Sequence, residues 1–301
     1  MQLAESVANL TVIKAGEVGD AGVMLVSVCI PSYRGAPFIE AAIRSVLVQT
    51  YTNFELIIVD DASPDDTCAV VEKIVDARLR IVRHTTNAGA EGNWNRCLAE
   101  AKGVYVKLLP QDDLLEPDCL ARQIAVLQAA ENQDVSLVFC GRIIIDSRGK
   151  RLLTRGYSKS VSGRVDRRAL VRDTIRSGAN VMGEPGAVLF RRADAHRIGV
   201  FDASIPYVVD LDYWVRLLAI GDAYYISENL AAFRVSAISW SVAIGSDQIA
   251  QYWAFVDRVH AVQSGVLSTA DRLLGKIRAA VNTVLRLAFY RLYVPGMRRG
   301  D

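Results

Sequence analysis

Short apolar runs alternate with stretches of helical periodicity through the first half of the chain. Four runs have the composition of strands buried on both faces of a sheet, at residues 24–30, 54–59, 79–83 and 104–109. Apolar residues recur at helical spacing after each run, as in residues 118–129. This alternation predicts an α/β fold with a mostly parallel, doubly wound sheet and right-handed crossovers.

The pattern changes after residue 129. Residues 135–145, a polar turn and residues 151–153 predict a hairpin or edge strands. Residues 156–186 are basic and contain glycine, which indicates a helix flanked by loops of the kind that cover substrates. The rest of the predicted domain is a strand at 187–190, a helix at 207–219 and two strands at 223–226 and 231–235.

The two ends of the chain differ from this domain, which we bound at residues 23–244. Residues 1–22 contain three glycines without sustained periodicity and predict a loose N-terminal extension. Residues 245–301 predict a helical C-terminal tail. Ile277, Val281 and Val284 share one face of it, and Arg278 and Arg286 lie on another. Such a helix can dock on the core, associate with a second copy or lie on an anionic membrane surface, and the pattern leaves these alternatives open.

Composition narrows the class of protein. The chain has 301 residues and a net charge of +2, which gives no reason to expect a nucleic-acid partner. Its five cysteines lie singly in apolar segments, as expected for reduced thiols in the cytoplasm. No signal peptide is evident, and no apolar run approaches the ~20 residues that cross a bilayer. We therefore expect a cytoplasmic protein that is soluble or peripheral on the inner membrane face.

Acidic residues follow two of the predicted strands. Asp112 and Asp113 come after residues 104–109, and Asp60 and Asp61 come after residues 54–59. The carboxyl ends of strands are where open α/β sheets bind ligands, and adjacent carboxylates repel each other unless a cation compensates. The alternative is that these are solvated acids preceding helices, with Ser63 as the N-cap of the next helix. Neither GxGxxG nor GxxxxGK[ST] occurs, which argues against a dinucleotide-binding domain and a P-loop enzyme.

Eight short motifs occur in an order that resembles the family 2 glycosyltransferases, which are inverting enzymes of the GT-A fold. They are VCIPSY (28–33), SVLVQTY (45–51), ELIIVDDAS (55–63), NAG (87–89), GNWNR (92–96), AKGVYV (101–106), QDD (111–113) and DLD (210–212). Each motif is weak alone, but the shared order makes chance agreement improbable. The resemblance covers roughly residues 25–240 and implies a single GT-A type domain with a helical C-terminal appendage.

The resemblance implies a nucleotide-sugar donor, UDP-linked or similar, and a divalent cation, Mg²⁺ or Mn²⁺. The residues that match the family's nucleotide-binding positions are Pro31, Tyr33, Asp61, Arg83, Gln111 and Asp112. Asp112 and Asp113 resemble the metal-binding acids. Carboxylates that hold a cation can neutralise the charge of a departing diphosphate. Pro110 stands where the usual Asp-x-Asp has its first acid, which leaves one carboxylate fewer.

The resemblance also implies a general base and an acceptor side. Asp210 is the expected base, with Asp212 second, and Val209 replaces the usual first acid of that motif. Glu184 and Trp214 are expected on the side of a saccharide or lipid-linked acceptor. Together with Ser236, which replaces a histidine common in relatives, these departures leave a second hypothesis open: a catalytically silent module that binds nucleotide sugars or serves assembly. A nucleotidyltransferase ranks third, because its glycine-rich loop does not occur.

Overall fold

One mixed sheet organises the residues that the structure, a computed structural model, describes: 24–157, 161–236, 245–263 and 265–293. The predicted extension at residues 1–22 lies outside the described residues. The strands are β1 (Val26–Ser32), β2 (Phe54–Asp60), β3 (Leu79–Arg83), β4 (Tyr105–Leu108), β5 (Leu114–Leu115), β6 (Val135–Ile145), β7 (Arg151–Arg155), β8 (Gly163–Val165), β9 (Val188–Arg191) and β10 (Asp222–Arg234).

The strand order is β3-β2-β1-β4-β9-β6-β10-β5, with β7 paired to β6 and β8 to β10. Strands β1 to β4 are mutually parallel, and β10 is parallel to β6. Strand β9 runs antiparallel to both of its neighbours, β4 and β6. Six strands therefore point the same way: β1, β2, β3, β4, β6 and β10. Their carboxyl ends therefore meet along one edge, where the predicted site residues lie.

Helices cover both faces of the sheet, which confirms the doubly wound α/β prediction. They are α1 (Ile39–Leu47), α2 (Thr67–Glu72), α3 (Gly89–Glu100), α4 (Cys119–Gln128), α5 (Arg167–Ser177), α6 (Arg192–Ile198), α7 (Val209–Leu217), α8 (Gln248–Val262) and α9 (Thr269–Tyr293). Buried residues of α1, α2 and α4 pack in one apolar layer, and those of α3 and α5 to α9 pack in the other. No helix in the described segments combines the length and the apolarity needed to cross a bilayer.

Several local predictions need correction. Strand β6 forms the predicted hairpin with β7, but it lies between β9 and β10 rather than at an edge. Residues 223–226 and 231–235 belong mostly to one strand, β10, which is interrupted by register shifts between Ile226 and Ala231. Ser63 does not cap a helix, since α2 begins only at Thr67 and the Ser63 hydroxyl accepts the backbone N–H of Arg34 at 3.0 Å. The short strands β5 and β8 and the helix α6 had no clear signal in the sequence.

The helical tail packs on the layer that contains α5, through the side of α9 opposite to the apolar stripe of Ile277, Val281 and Val284. Gly275 lies so close to α5 that an added Cβ would sit 2.4 Å from the carbonyl oxygen of Ile175. Asn282 donates to the carbonyl of Ser177 at 2.8 Å and to that of Gly178 at 3.2 Å. These bonds satisfy carbonyls at the end of α5 that have no partner within that helix. The tail thus docks through small and polar residues and, further along, through Tyr290, which packs with Ile144 and Val235, while Ile277 stays exposed.

Candidate active site

The loop after β1 is held by the side-chain amide of Gln111. Its Oε1 accepts the backbone N–H of Tyr33 at 3.0 Å and the hydroxyl of Ser32 at 2.7 Å, and its Nε2 donates to the carbonyl of Tyr33 at 2.9 Å. Gly35 is needed here, because an added Cβ would lie 2.2 Å from that Oε1. Gln111 therefore positions the expected base-binding loop, in which Pro31 is buried and the ring of Tyr33 is exposed.

Asp61 connects the end of β2 to the start of α3. Its Oδ1 accepts the backbone N–H of Ala88 at 2.7 Å, and its carbonyl accepts Nδ2 of Asn87 at 3.2 Å. The next residue, Ala62, has a φ of +54°, as does Arg34 in the loop after β1. Such backbone strain, roughly 1–3 kcal/mol per residue, is concentrated at ligand-binding sites. Two strained loops thus face each other across the tips of β1 and β2.

Arg83 ends β3 beside this loop, but it is partly exposed and forms an ion pair with Glu72 of α2. The guanidinium of Arg83 is therefore already paired with a surface acid, Glu72, in the absence of a ligand. Asp60 turns its Oδ2 to the backbone N–H of Ser63 at 3.0 Å, which fixes the loop that carries Asp61.

Asp112 and Asp113 lie in the short turn between β4 and β5. Asp113 is buried, and its Oδ1 accepts the backbone N–H of Arg234 at 2.9 Å, while Arg234 Nε donates to the carbonyl of Asp112 at 2.8 Å. Burial raises the pKa of Asp113 well above its usual range, and the neighbouring charges of Asp112 and Glu184 raise it further. Burial also raises the pKa of Asp112. Both carboxylates would be stabilised in their ionised form by a cation.

The donor set at this turn fits a nucleotide-associated cation. Within the described residues no group of three or more His, Cys, Asp or Glu side chains could hold a metal. Two adjacent carboxylates are nevertheless the usual protein contribution to a Mg²⁺ site that is completed by substrate phosphates and water. The shortage of acids that follows from Pro110 is therefore compatible with a cation that arrives with a diphosphate.

Asp210 opens α7 with a carboxylate held by two donors. Its Oδ1 accepts the backbone N–H of Leu211 at 2.7 Å, and its Oδ2 accepts Nδ2 of Asn180 at 3.0 Å. Burial raises the pKa of Asp210 to about 7, with a further contribution from Glu184, against the lowering effect of both hydrogen bonds. A carboxylate with this pKa is suited to accept a proton near neutral pH.

Glu184 lies between the two groups of acids. Its carboxylate pairs with the guanidinium of Arg142 at 2.5 Å, and its charge raises the pKa of both Asp113 and Asp210. Asp113 and Asp210 are therefore both near enough to Glu184 for its charge to act on them. The sequence predicted this convergence only through the family resemblance, and separation of the two groups would have excluded the predicted mechanism.

The structure does not bring two predicted residues into this cleft. Asp212 is buried in an ion-pair network with Arg216 at 2.9 Å and Arg258 at 3.5 Å, which ties α7 to α8. Trp214 is fully buried in the core, so it cannot touch an acceptor. Its indole N–H donates to the carbonyl of Gly183 at 3.3 Å and so supports the loop that carries Glu184.

Sequence reasoning missed two residues that shape the cleft. Asn180 binds Asp210 and also the backbone of Gly183, in both directions at 2.9 Å. Arg142 is a charged residue within an otherwise apolar strand, β6, and that contrast is a sequence signal of a buried functional charge. Asn180 lies in a loop and had no comparable signal.

A mostly parallel sheet with paired acids after β4 and Asp210 in the first turn of α7 is the arrangement expected of a GT-A glycosyltransferase. The comparison with protein families agrees. The model described as "Glycosyl transferase family 2" matches residues 27–197, and the chain belongs to this family.

Curated relatives point to the same class. An uncharacterized protein of Mycobacterium tuberculosis is 33% identical, over 71% of this chain and 68% of that protein. An uncharacterized glycosyltransferase of Rickettsia typhi is 32% identical, over 70% of this chain and 64% of the relative. The UDP-Glc:alpha-D-GlcNAc-diphosphoundecaprenol beta-1,3-glucosyltransferase of Escherichia coli is 38% identical over 35% of this chain and 41% of its own length. The chain thus spans about two thirds of its first two relatives.

Solved structures share the fold. Staphylococcus aureus TarS 1-349 in complex with UDP-GlcNAc superposes with a TM-score of 0.64 at 17% identity, over 89% of this chain and 74% of that one. A mannosyltransferase of Pyrobaculum calidifontis in complex with GDP-Man and Mn²⁺ gives a TM-score of 0.58 at 19% identity, over 89% of this chain and 75% of that one. These similarities extend past the family match and include part of the helical tail.

Proposed function

We propose that this glycosyltransferase is an inverting enzyme that moves one sugar from a nucleotide-sugar donor to a hydroxyl of a saccharide or lipid-linked acceptor. The observation that carries the proposal is the arrangement around Glu184, with paired acids on one side and an acid of pKa about 7 on the other. Inversion requires a site for the leaving group and a base close to each other. The paired acids suit a cation at the leaving group, and the acid of pKa about 7 suits a base.

On the donor side, the loops of Tyr33 and Asp61 bind the nucleoside. The exposed ring of Tyr33 offers a face to the base, and the strained backbone next to Asp61 places a carboxylate for a base N–H. Asp112 and Asp113 would hold Mg²⁺ or Mn²⁺ beside the diphosphate. A bound cation supplies charge neutralisation for the leaving group. Arg234 keeps both acids in place through its bonds to Asp112 and Asp113.

On the acceptor side, Asp210 takes the proton of the attacking hydroxyl. Asn180 and the backbone N–H of Leu211 orient its carboxylate, so one lone-pair direction stays fixed toward the incoming alcohol. The new glycosidic bond forms as the bond to the diphosphate breaks, and the proton remains on Asp210. Glu184 and Arg142 border the acceptor beside it.

The relatives support a uracil nucleotide as the donor's base. The E. coli relative is named for UDP-Glc, and the TarS structure contains UDP-GlcNAc, whereas the mannosyltransferase contains GDP-Man and Mn²⁺. We propose a cytoplasmic location, which agrees with the five unpaired cysteines. We also propose peripheral membrane contact through α9, whose apolar stripe is exposed.

A second candidate function is a catalytically silent nucleotide-sugar module. Three departures from the family pattern favour it: Pro110, Val209 and Ser236. Donor hydrolysis or transfer above background, and its loss on chelation, would exclude this candidate.

The test is a panel of nucleotide sugars with and without Mg²⁺ or Mn²⁺, read by the melting temperature of the full chain. A ligand that binds only the native state raises that temperature, because it stabilises the native state by roughly 2.7 kcal/mol at a hundredfold excess over its Kd. We expect a shift with one donor class that depends on the cation and is lost in Asp112→Asn. No cation-dependent shift with any donor would contradict the proposal.

A further inference from the structure

Two arginines face each other next to Glu184 across the β6–β7 hairpin. Arg142 and Arg155 are opposite each other in the antiparallel register, so their side chains point to the same face. The side chain of Arg142 is only 5% exposed and lies against Gly183 and Glu184. Arg155 is an exposed residue whose guanidinium is partly enclosed. Its surroundings lower its pKa: burial of the guanidinium first, then the positive charges of Arg142 and Arg286, with Glu184 opposing.

The third arginine comes from the tail. The guanidinium of Arg286 lies 5.4 Å from the ring centroid of Tyr207, in the 3-10 turn Pro206–Val208 that precedes the helix carrying Asp210. The charges of Arg286, Asp210 and Glu184 all act on the Tyr207 hydroxyl, which places these groups around one point. The tail helix therefore contributes a cation to the side of the cleft where the base is.

The charges of this cluster do not balance. Three guanidiniums lie near two acids: Glu184, which pairs with Arg142, and Asp210, whose pKa is about 7. Nη1 of Arg142 and Nε of Arg286 are buried and have no hydrogen-bond partner among the described residues. Buried donors without acceptors are rare and unfavourable, and a guanidinium fork matches phosphate oxygens in two-point contact.

We propose that Arg142, Arg155 and Arg286 form a phosphate-binding subsite for an anionic acceptor, and that this subsite presents the acceptor's hydroxyl to Asp210. The inference rests on the proposed transferase function and adds the acceptor's chemical class. The donor diphosphate is a poor occupant of this subsite. The acids expected to hold its cation, Asp112 and Asp113, are hydrogen-bonded to a different arginine, Arg234. The phosphate can belong to a lipid-linked sugar diphosphate or to a phosphodiester polymer.

The first experiment measures binding without requiring activity. Inorganic pyrophosphate is titrated into the full chain in EDTA, where the cation-dependent donor site does not compete. We expect Arg155→Gln with Arg286→Gln to weaken pyrophosphate binding about 10- to 100-fold, as two charge-assisted contacts are lost. The matched control is Arg278→Gln on the same helix, since Arg278 bonds only the carbonyl of Arg176 in the described structure. Equal affinity in the double variant would overturn the inference.

The second experiment separates the sources of phosphate. Two acceptors are compared, a short-chain alkyl diphosphate sugar and a phosphodiester oligomer. For each, kcat/KM is divided by the kcat/KM of the neutral glycoside of the same sugar. The acceptor with the larger ratio identifies the source, and the ratio should fall at least tenfold in the double variant. An unchanged ratio would overturn the inference. Failure of every transfer reaction, with pyrophosphate binding intact, would contradict the proposed function instead.

Discussion

At the scale of single residues, the site depends on how surroundings tune three carboxylates to different tasks. Asp113 is deeply buried beside another acid, so its ionised form needs a cation. Asp210 is partly buried and accepts two hydrogen bonds, so its pKa stops near neutrality. Asp212, two positions further, is neutralised by arginines.

The first prediction concerns the base. Asp210→Asn should lower kcat by roughly 10²- to 10⁴-fold, because the amide cannot accept the acceptor's proton. Asp212→Asn is the matched control in the same helix: it should lower the melting temperature by breaking pairs with Arg216 and Arg258 but leave kcat of the folded enzyme within a few-fold. Steady-state kinetics and thermal denaturation of both variants are the measurements. A large loss of kcat in Asp212→Asn with little loss in Asp210→Asn would contradict the assignment.

The second prediction is the pH dependence of catalysis. The base must be ionised, and the pKa of Asp210 is about 7, so kcat/KM should rise with pH and level off above that value. Below it, the rate should fall about tenfold per pH unit. A kcat/KM profile between pH 5 and 9 checks this, and a plateau reaching down to pH 5 would exclude Asp210 as the base.

The third prediction is the effect of the same group on stability. The pKa of Asp210 is raised in the folded state, from roughly 4 in an unfolded chain to about 7, so the folded protein binds the proton more tightly. This stabilising effect is complete below about pH 4 and is lost as the pH rises to 7. Asp210→Asn should therefore raise the melting temperature at pH 8 and change it little at pH 4. A loss of stability at pH 8 would show that the ionised group is well solvated.

The positions of the candidate acids could be predicted because acids after buried strands are a local pattern, but their neighbours could not. Asp210 and Asp212 are two positions apart, which on a helix places them on different faces, and the sequence could not say which face met the cleft. Trp214 illustrates a second limit, since an aromatic residue near a motif fits a core position as well as a binding surface. Asn180 and Arg142 reach Asp210 and Glu184 through contacts between distant segments.

At the scale of elements, the parallel part of the sheet followed from the sequence and the antiparallel part did not. Strands β1 to β4 are separated by helices, and that alternation alone predicts their direction. Strand β9 enters between β4 and β6 from far along the chain, so its position depends on pairings that no local pattern encodes. All eleven residues of β6 are buried, which is the signature of a central strand rather than an edge.

The tail illustrates the same limit with a different cause. Helical periodicity identified an apolar and a basic face on α9 and left core docking, self-association and membrane contact open. The core receives Gly275, Ala279 and Asn282, because small residues let the helix approach α5 closely and Asn282 completes its end, and it also receives Tyr290 further along α9.

The fourth prediction tests this docking. Asn282→Ala should lower the free energy of unfolding by about 1–3 kcal/mol, since the buried carbonyls of Ser177 and Gly178 lose their donor. Ile277→Ala on the exposed face should change it by less than ~0.5 kcal/mol. Urea denaturation of both variants is the measurement, and a larger effect of Ile277 would mean that α9 docks through its apolar stripe.

At the scale of the whole molecule, the working unit is larger than the family match. Residues 27–197 contain the donor loops, the paired acids and Glu184, whereas Asp210, Arg234 and Arg286 lie beyond them. The boundary predicted at residue 244 places Arg286 and Asp210 in different parts of the chain, although the charges of both act on the Tyr207 hydroxyl. The tail is thus joined to the site on one face of α9 and free on the other.

The free face carries the last prediction. Leu273, Ile277, Val281, Val284 and Leu285 are each more than half exposed, and Arg278 lies beside them. An apolar stripe with a cation at its border suits the surface of an anionic membrane, and the opposite face of the same helix would then hold the acceptor's phosphate near its headgroup layer. The full chain should float with anionic liposomes, and Ile277→Gln with Val284→Gln should abolish flotation. The matched control is Val48→Gln with Val75→Gln, at apolar residues exposed outside α9. If the stripe variant floats unchanged, the stripe does not bind lipid. If the substitutions instead convert a dimer to a monomer in lipid-free solution, the partner of the stripe is a second copy of the chain.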